Sequence, residues 1–253
     1  MVRVAGNNRF NEVESPIISE EQTFLFPSQV VEIDVQSGGV RQTLKIPRNE
    51  LFRAKSILQD NEYSILNFRS HRGPMTVVDV GANVGLYAIY MKAIDPGCVI
   101  HCFEPSPSTF VLLHANLGDI TGIYLHSCGL FDRSQQATMH IHRMNTGQNS
   151  IKSSGEYYGD SVQVPLKDAG AEFDRLSLID IDVLKIDTEG CEVEILGSLG
   201  HRLDRIDYVL VEYHSEKDRR QIDGLLKEFH VFGSKSSSLG DGVVKYISSR
   251  LIV

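Results

Sequence analysis

Apolar and polar positions along the chain change rhythm once, near residue 74. Before that point the pattern is mixed. Residues 1 to about 28 are polar and irregular, broken by Pro16 and Pro27, and read as an arm over the domain or a tail. Val30, Ile33 and Val35 start a strand-like run, Ser37-Gly38-Gly39 marks a turn, and Leu44 and Ile46 continue a second strand up to Pro47. That spacing predicts a hairpin over residues 30–46. Leu51, Ala54, Ile57 and Leu58 then recur at helical spacing, followed by Tyr63, Ile65 and Leu66, so residues 49–69 are expected to be helical. The breaker cluster His71-Arg72-Gly73-Pro74 closes this stretch. The expected organisation is an N-terminal arm, hairpin and helix over residues 1–74 and a second domain over residues 75–253.

From Met75 strands and helices alternate. Thr76 to Val80 is a β-branched strand, Leu86 to Ala93 a helix stopped by Asp95-Pro96-Gly97, and Cys98 to Phe103 a second strand ending in Glu104-Pro105. Helix Ser108 to Leu117 and strand Ile123 to Ser127 follow. Residues 134–166 interrupt the rhythm: Ala137 to His142 and Ser161 to Leu166 read as an inserted hairpin, suited to a lid. The rhythm resumes with strand Val183 to Ile186, helix Cys191 to Leu199, strand Tyr208 to Tyr213 and helix Lys217 to Phe229. Val231-Phe232 and Val243 to Ile247 read as two final strands. This alternation predicts an α/β fold with a mostly parallel sheet covered on both faces and one antiparallel edge. Ligands of such sheets bind outside the carboxyl ends of the strands.

Composition narrows the function classes. Net charge is −8, which argues against nucleic-acid or anionic-membrane partners, because phosphate attraction needs clustered Lys and Arg. No apolar stretch reaches the roughly 20 residues of a membrane helix. The N-terminal residues carry acids and no apolar core, so neither a signal nor a transit peptide is expected. Four cysteines, Cys98, Cys102, Cys128 and Cys191, are too few for a disulfide framework and fit a reduced, cytoplasmic setting. Cys98, His101 and Cys102 fall in an apolar strand without a second ligand pair, so no metal site is expected there.

The candidate chemistry gathers at strand ends. The first strand runs into Asp79-Val80-Gly81-Ala82-Asn83-Val84-Gly85. Gly81 allows backbone to approach a ligand, and Gly85 allows close helix packing. Asn83 stands where a dinucleotide fingerprint has its second glycine, which counts against a pyrophosphate cofactor. Glu104 follows about twenty residues later, where an acid can accept two ribose hydroxyls. The alternative is a solvated strand-end acid before Pro105. An adenosine-type ligand without a pyrophosphate fits this combination, and S-adenosylmethionine is one.

The segments VVDVGANVGLYAIY, CFEPSPSTFVLLHANL, LKIDTEGCEVEILGSL and VLVEYH resemble the FkbM-type S-adenosylmethionine-dependent methyltransferases. The resemblance runs in the same order over residues 62–215. It implies a Rossmann-like class I methyltransferase fold: a mostly parallel seven-stranded sheet with an antiparallel last strand. It also implies O-methylation of a hydroxyl on a small molecule or glycan. The chain departs from the family where Leu166-Lys167-Asp168 stands in place of a Leu-Asp pair.

Methyl transfer is an in-line displacement for which the protein supplies alignment and, for an alcohol, proton removal. Asp79 and the backbone of Gly81, Ala82 and Asn83 are expected around the methionine end. Glu104 is expected at the ribose. Ser106 either flanks the adenine or caps the next helix, and Cys128-Gly129 approach the adenine by backbone. A nucleophilic Cys128 is disfavoured, since no base adjoins it. Lys185 and Asp187 share one face of their strand, as an ion pair or as part of the reacting centre. Glu189 reads as a helix-start charge or a site acid. Glu212 and His214 also share a face, with His214, neutral near pH 7, the candidate general base. Asp187 and Glu212 can instead hold Mg²⁺, but Lys185 opposes a cation there, so a metal-free site is favoured. In the insertion, Gln148, Asn149 and Ser150 suit sugar-like hydroxyls, and Tyr157 and Tyr158 suit a ring. The edge of the 30–46 hairpin offers a surface for a homodimer. Competing readings are a nucleic-acid or protein methyltransferase of the same fold, and a cofactor-binding module without turnover.

Overall fold

Alternating side chains make the N-terminal hairpin. Strands β1 (Val30–Ser37) and β2 (Val40–Pro47) pair antiparallel, and Ile33, Val35, Leu44 and Ile46 are buried. The structure is a computed structural model that describes residues 29–37, 40–66, 73–142, 145–152, 158–236, 238 and 240–252. The arm over 1–28, the turn glycines Gly38 and Gly39, residues 67–70, His71, Arg72, Tyr157 and the side chain of Tyr158 lie outside the described residues. Asn116 ties down β2: its Nδ2 donates to the Lys45 carbonyl at 3.0 Å, and its Oδ1 accepts the Lys45 N–H at 2.8 Å. The side chain thus pairs with β2 as a neighbouring strand would, so part of that edge is used within the chain.

A 3₁₀ turn at Arg48–Glu50 leads into helix α1 (Leu51–Leu58). The helix is shorter than the expected 49–69. Beyond Gln59 the chain turns away, and Asn61 takes a left-handed φ of 54°. Tyr63 consequently sits in a turn segment and not on a helix.

Strand β3 (Thr76–Val80), helix α2 (Leu86–Ile94), strand β4 (Val99–Phe103), helix α3 (Pro107–Leu117) and strand β5 (Ile123–His126) alternate as predicted. Gly85, at φ 93°, is required by packing: a Cβ there would lie 2.5 Å from Leu117 Cδ1 of α3. β6 (Gly129–Phe131) precedes the insertion, which supplies β7 (Gln135–His142) and β8 (Tyr158–Asp168). β7 and β8 form the expected hairpin, and β6, too short for periodicity to reveal, adds parallel to β8. Helix α4 (Ala169–Arg175) is capped by Asp168, whose Oδ1 accepts the Ala171 N–H at 2.7 Å. The rest is β9 (Ile181–Ile186), α5 (Glu192–Leu199), β10 (Ile206–Tyr213), α6 (Glu216–Leu225), β11 (Phe229–Ser236) and β12 (Gly242–Ser248).

The seven-stranded sheet has the order β11-β12-β10-β9-β3-β4-β5. β5, β4, β3, β9 and β10 run parallel, and β12 runs antiparallel to β10 and β11. From β3 the chain builds outward to β4 and β5, then returns to the other side with β9 and β10. The order therefore reverses between β3 and β9, and a crevice opens at their carboxyl ends. Both faces are covered. Val78, Val80, Leu184, Ile186, Val209 and Val211 pack on one side, and Val77, Val183 and Leu210 on the side of α2 and the N-terminal hairpin. This explains the near-continuous apolar runs of the strands. All four cysteines are free and buried, and His101 stands 3.1 Å from the His126 ring across β4 and β5. No described helix is long and apolar enough to cross a membrane.

Candidate active site

The end of β3 is built around a close backbone contact. A Cβ on Gly81, at φ 77°, would sit 1.7 Å from the Asp187 carbonyl oxygen at the end of β9. Gly81 is therefore required by the neighbouring strand, in addition to any ligand. Asn83 takes a left-handed φ of 49° and donates its N–H to Glu104 Oε2 at 3.0 Å. Ser106 donates its N–H to Oε1 at 2.8 Å. One carboxylate thus stitches together the loops that follow β3 and β4. Burial pushes the Glu104 pKa up to about 7, against these two hydrogen bonds.

Gly81, Asn83, Glu104, Gly129 and Asp187 line a narrow cleft of about 70 Å³. Leu130, Met139, Ile151 and Leu166 give it an apolar wall. The other residues expected here sit elsewhere. Asp79 is buried beneath the loop, where its Oδ1 meets Lys185 Nζ at 3.1 Å. Ala82 faces a smaller cavity behind Asn83, and Gly85 packs on α3. Ser106 takes the capping role: its Oγ accepts the Thr109 N–H at 3.5 Å at the start of α3. Burial pushes the Cys128 thiol up to about 11, so it is not an ionised nucleophile.

Beyond the cleft lies a cluster of acids around one guanidinium. Arg53, from α1, reaches Asp187 Oδ2 at 2.9 Å, Glu212 Oε2 at 3.5 Å, Glu189 Oε1 at 3.5 Å and Glu50 Oε2 at 3.7 Å. The Tyr63 hydroxyl contacts Asp187 Oδ2 at 3.2 Å and Glu212 Oε2 at 3.1 Å. Lys185 Nζ donates to the Gly81 carbonyl at 2.9 Å and stands 3.6 Å from Asp187. Burial alone would raise the Asp187 carboxyl, but Arg53 and Lys185 hold it well below the usual carboxylate range. Burial, and then the charge of Asp187, push Glu212 the other way. Glu189 lies in the loop before α5, with a left-handed φ of 55°, so it does not open the helix. Glu192 opens α5 and holds that loop: its Oε1 accepts from Thr188 N, Thr188 Oγ1 and Gly190 N at 2.9–3.1 Å.

The neutral-base role expected of His214 does not fit these surroundings. Its ring nitrogens stand 3.6 Å from Glu189 and 3.6 Å from Glu192. Burial would lower the imidazole pKa, but Glu192, Glu189 and Glu212 push it up to about 10. These acids favour the protonated imidazolium at neutral pH. On the far side of Arg53, a hollow of about 480 Å³ is lined by Phe52, Glu62, Asn145, Gln148, Glu212 and Lys235, among others.

A family profile described as the methyltransferase FkbM domain matches residues 79–247. The chain belongs to the FkbM methyltransferase family. Methyltransferase 1 of Beauveria bassiana is 28% identical over 187 residues, covering 66% of this chain and 74% of that protein. The hexuronic acid methyltransferase AglP of Haloferax volcanii is 27% identical over 221 residues, covering 78% and 84%. Among solved structures, a fibrillarin/Nop5p complex matches with a TM-score of 0.50 at 12% identity, over 87% of this chain and 94% of that one. That likeness concerns the fold, which is the Rossmann-like class I methyltransferase fold.

The groups lining the cleft of this FkbM methyltransferase match those of S-adenosylmethionine. A carboxylate offers about four lone-pair positions; two on Glu104 are used by N–H groups, which leaves one on each oxygen for a pair of ribose hydroxyls. The apolar wall suits an adenine. Asn83 Oδ1 is buried without a hydrogen-bond partner beside the cleft, a ready acceptor for the ammonium of the methionine end. Arg53, Tyr63 and Glu50 are the site residues that sequence reasoning missed. Glu50 Oε1 accepts the Gly147 N–H at 2.7 Å and so fastens α1 to the insertion. The one local signal was the Glu50–Arg53 pair at i, i+3 across the start of α1.

Proposed function

We propose that this methyltransferase methylates a hydroxyl oxygen on a small polyhydroxylated molecule or glycan, without a metal ion. The observation that carries the reading is the hollow beside the cleft, which meets it at Arg53 and Glu189. Its wall mixes hydrogen-bonding side chains, Asn145, Gln148 and Ser56, with one exposed aromatic face, Phe52. Such a lining suits hydroxyl groups on a ring. The relative named for hexuronic acid supports the same class. Around the hollow Glu62, Glu189, Glu212 and Asp241 are set against Arg53, His214 and Lys235, so it lacks the basic excess that a phosphate backbone needs, which speaks against a nucleic-acid acceptor.

S-adenosylmethionine, when bound, supplies an electrophilic methyl on a sulfonium leaving group. Glu104 holds the ribose end, and Asn83 and Asp187 the methionine end. Glu212 faces the hollow and accepts the hydroxyl proton. Its raised pKa makes it a stronger base than an ordinary carboxylate while leaving it ionisable near neutrality. His214 keeps its own proton and balances Glu189 and Glu192.

The ligand atoms of Asp187, Glu212 and His214 lie within 4.8 Å of one another, a spacing open to a divalent ion. Arg53 at 2.9 Å and Lys185 at 3.6 Å already give Asp187 its positive partners, which favours the metal-free reading. Methyl-labelled S-adenosylmethionine offered with a panel of uronic acids and neutral glycosides is expected to label a small molecule, at a rate unaltered by dialysis against a chelator. Label in RNA or protein alone would refute the acceptor class. A rate lost on chelation and restored by Mg²⁺ would refute the metal-free reading.

A further inference from the structure

Arg53 belongs to neither binding region alone. It lines the cofactor cleft, the acceptor-side hollow and the small cavity behind Asn83. Four carboxylates, those of Glu50, Asp187, Glu189 and Glu212, stand within 3.7 Å of its guanidinium. Its Nε is buried without a hydrogen-bond partner, so part of its attachment is charge attraction and not a directed bond.

The other two cations nearby are committed differently. Lys185 is buried beneath the loop, on Asp79 and the Gly81 carbonyl. His214 answers Glu189 and Glu192. Arg53 is the closer cation to Asp187, at 2.9 Å against 3.6 Å for Lys185, and it also meets Glu212 at 3.5 Å, at the point where cleft and hollow meet. This is also where the methyl must pass from one to the other. The charge of the cofactor changes there: S-adenosylmethionine carries a sulfonium, and its product, S-adenosylhomocysteine, a neutral thioether.

We infer that Arg53 is the resting counter-ion of the methyl-transfer centre and sets how strongly the site discriminates the charged cofactor from the neutral product. The inference rests on the reading that the cleft binds S-adenosylmethionine. Arg53 and the sulfonium compete for the same carboxylates. Removing the guanidinium charge leaves the Asp187 carboxylate with Lys185 as its remaining near cation, which favours the sulfonium; the ammonium and carboxylate common to both compounds cancel in the ratio of their affinities. A unit charge removed at a few ångströms in a half-buried site changes a cation's affinity by about tenfold or more. The presence of Arg53 thus weakens the charged ground state relative to the product, a form of strain that is relieved as the sulfonium charge disappears.

The test is calorimetric titration of both compounds into wild type, Arg53→Gln and Arg53→Lys. Arg53→Gln is expected to shift the ratio of the two dissociation constants about tenfold toward S-adenosylmethionine. Arg53→Lys, which keeps the charge, is expected to stay near the wild-type ratio. Thermal melts supply a second readout if the Gln variant is weakly folded. Saturating S-adenosylmethionine should then raise its melting temperature more than saturating S-adenosylhomocysteine does, by a wider margin than in wild type. An unchanged ratio with both compounds bound, or a shift toward the product, would overturn this inference alone. A wild type that binds neither compound would overturn the cofactor reading, and this inference with it.

Discussion

Glu212→Gln is expected to lower kcat by about 10²–10⁴-fold, the usual effect of removing a positioned base, while S-adenosylmethionine still binds. Gln keeps the shape of the side chain and can still meet Tyr63 and Arg53, but it cannot accept a proton. Ionising Glu212 is already costly in the folded chain, because burial and Asp187 both oppose the charge. A neutral isostere should therefore hold the melting temperature at neutral pH or raise it. Loss of turnover without loss of stability separates a catalytic role from a structural one. The pH profile follows from the same direction of shift. A base must be deprotonated, so the rate rises with pH through the raised pKa and then levels off. An ordinary glutamate titrates near ~4.3; here the ascending limb should lie at least about two units higher and vanish in the Gln variant. A limb in the ordinary carboxylate range, or one that survives Glu212→Gln, would remove Glu212 from this role.

Lys185→Met has the largest expected effect on stability. Asp79 and Lys185 are register partners on β3 and β9, both almost wholly excluded from solvent. Burial pushes the Asp79 carboxyl up, and Lys185 is the cation that opposes this. Methionine fills much of the lysine's volume but leaves the carboxylate unpaired. Breaking a buried pair from one side costs about 3–5 kcal/mol, or roughly 10 °C in a domain of this size. The sign with pH is definite. A carboxyl whose folded pKa is raised costs stability once pH exceeds its unfolded value, so the defect of Lys185→Met should shrink as pH falls and Asp79 takes up a proton. Adding Asp79→Asn should recover much of the loss at neutral pH. A melting temperature within a degree or two of wild type would show that Asp79 finds another partner.

The two variants sit on either side of what could be read from the chain. The strand–turn–helix at Asp79 to Gly85 and the acid at Glu104 are local patterns, and the crevice forms where alternation alone put it. The reasons for individual residues were less accessible. Gly81 and Gly85 both mark close approaches, but the contacts are the Asp187 carbonyl and the α3 side chain Leu117, which no local window contains. Asp79 carries the right charge in the right motif, yet its strand register directs it to Lys185 and not to the cleft. Arg53 lies 134 residues from Asp187, and Tyr63 149 residues from Glu212. Such pairings follow from how the N-terminal segment docks, not from periodicity. His214 was legible as a strand-end histidine, but its protonation is decided by Glu189 and Glu192, whose position depends on a left-handed turn at Glu189.

The most direct test is a crystal structure of the wild-type protein with S-adenosylhomocysteine. The two ribose hydroxyls are expected within hydrogen-bond distance of the two Glu104 oxygens. The adenine should lie against Leu130, Met139 and Leu166, and the sulfur should face Asp187 and Arg53. A ligand bound elsewhere, or with its ribose turned away from Glu104, would contradict the assignment of this cleft.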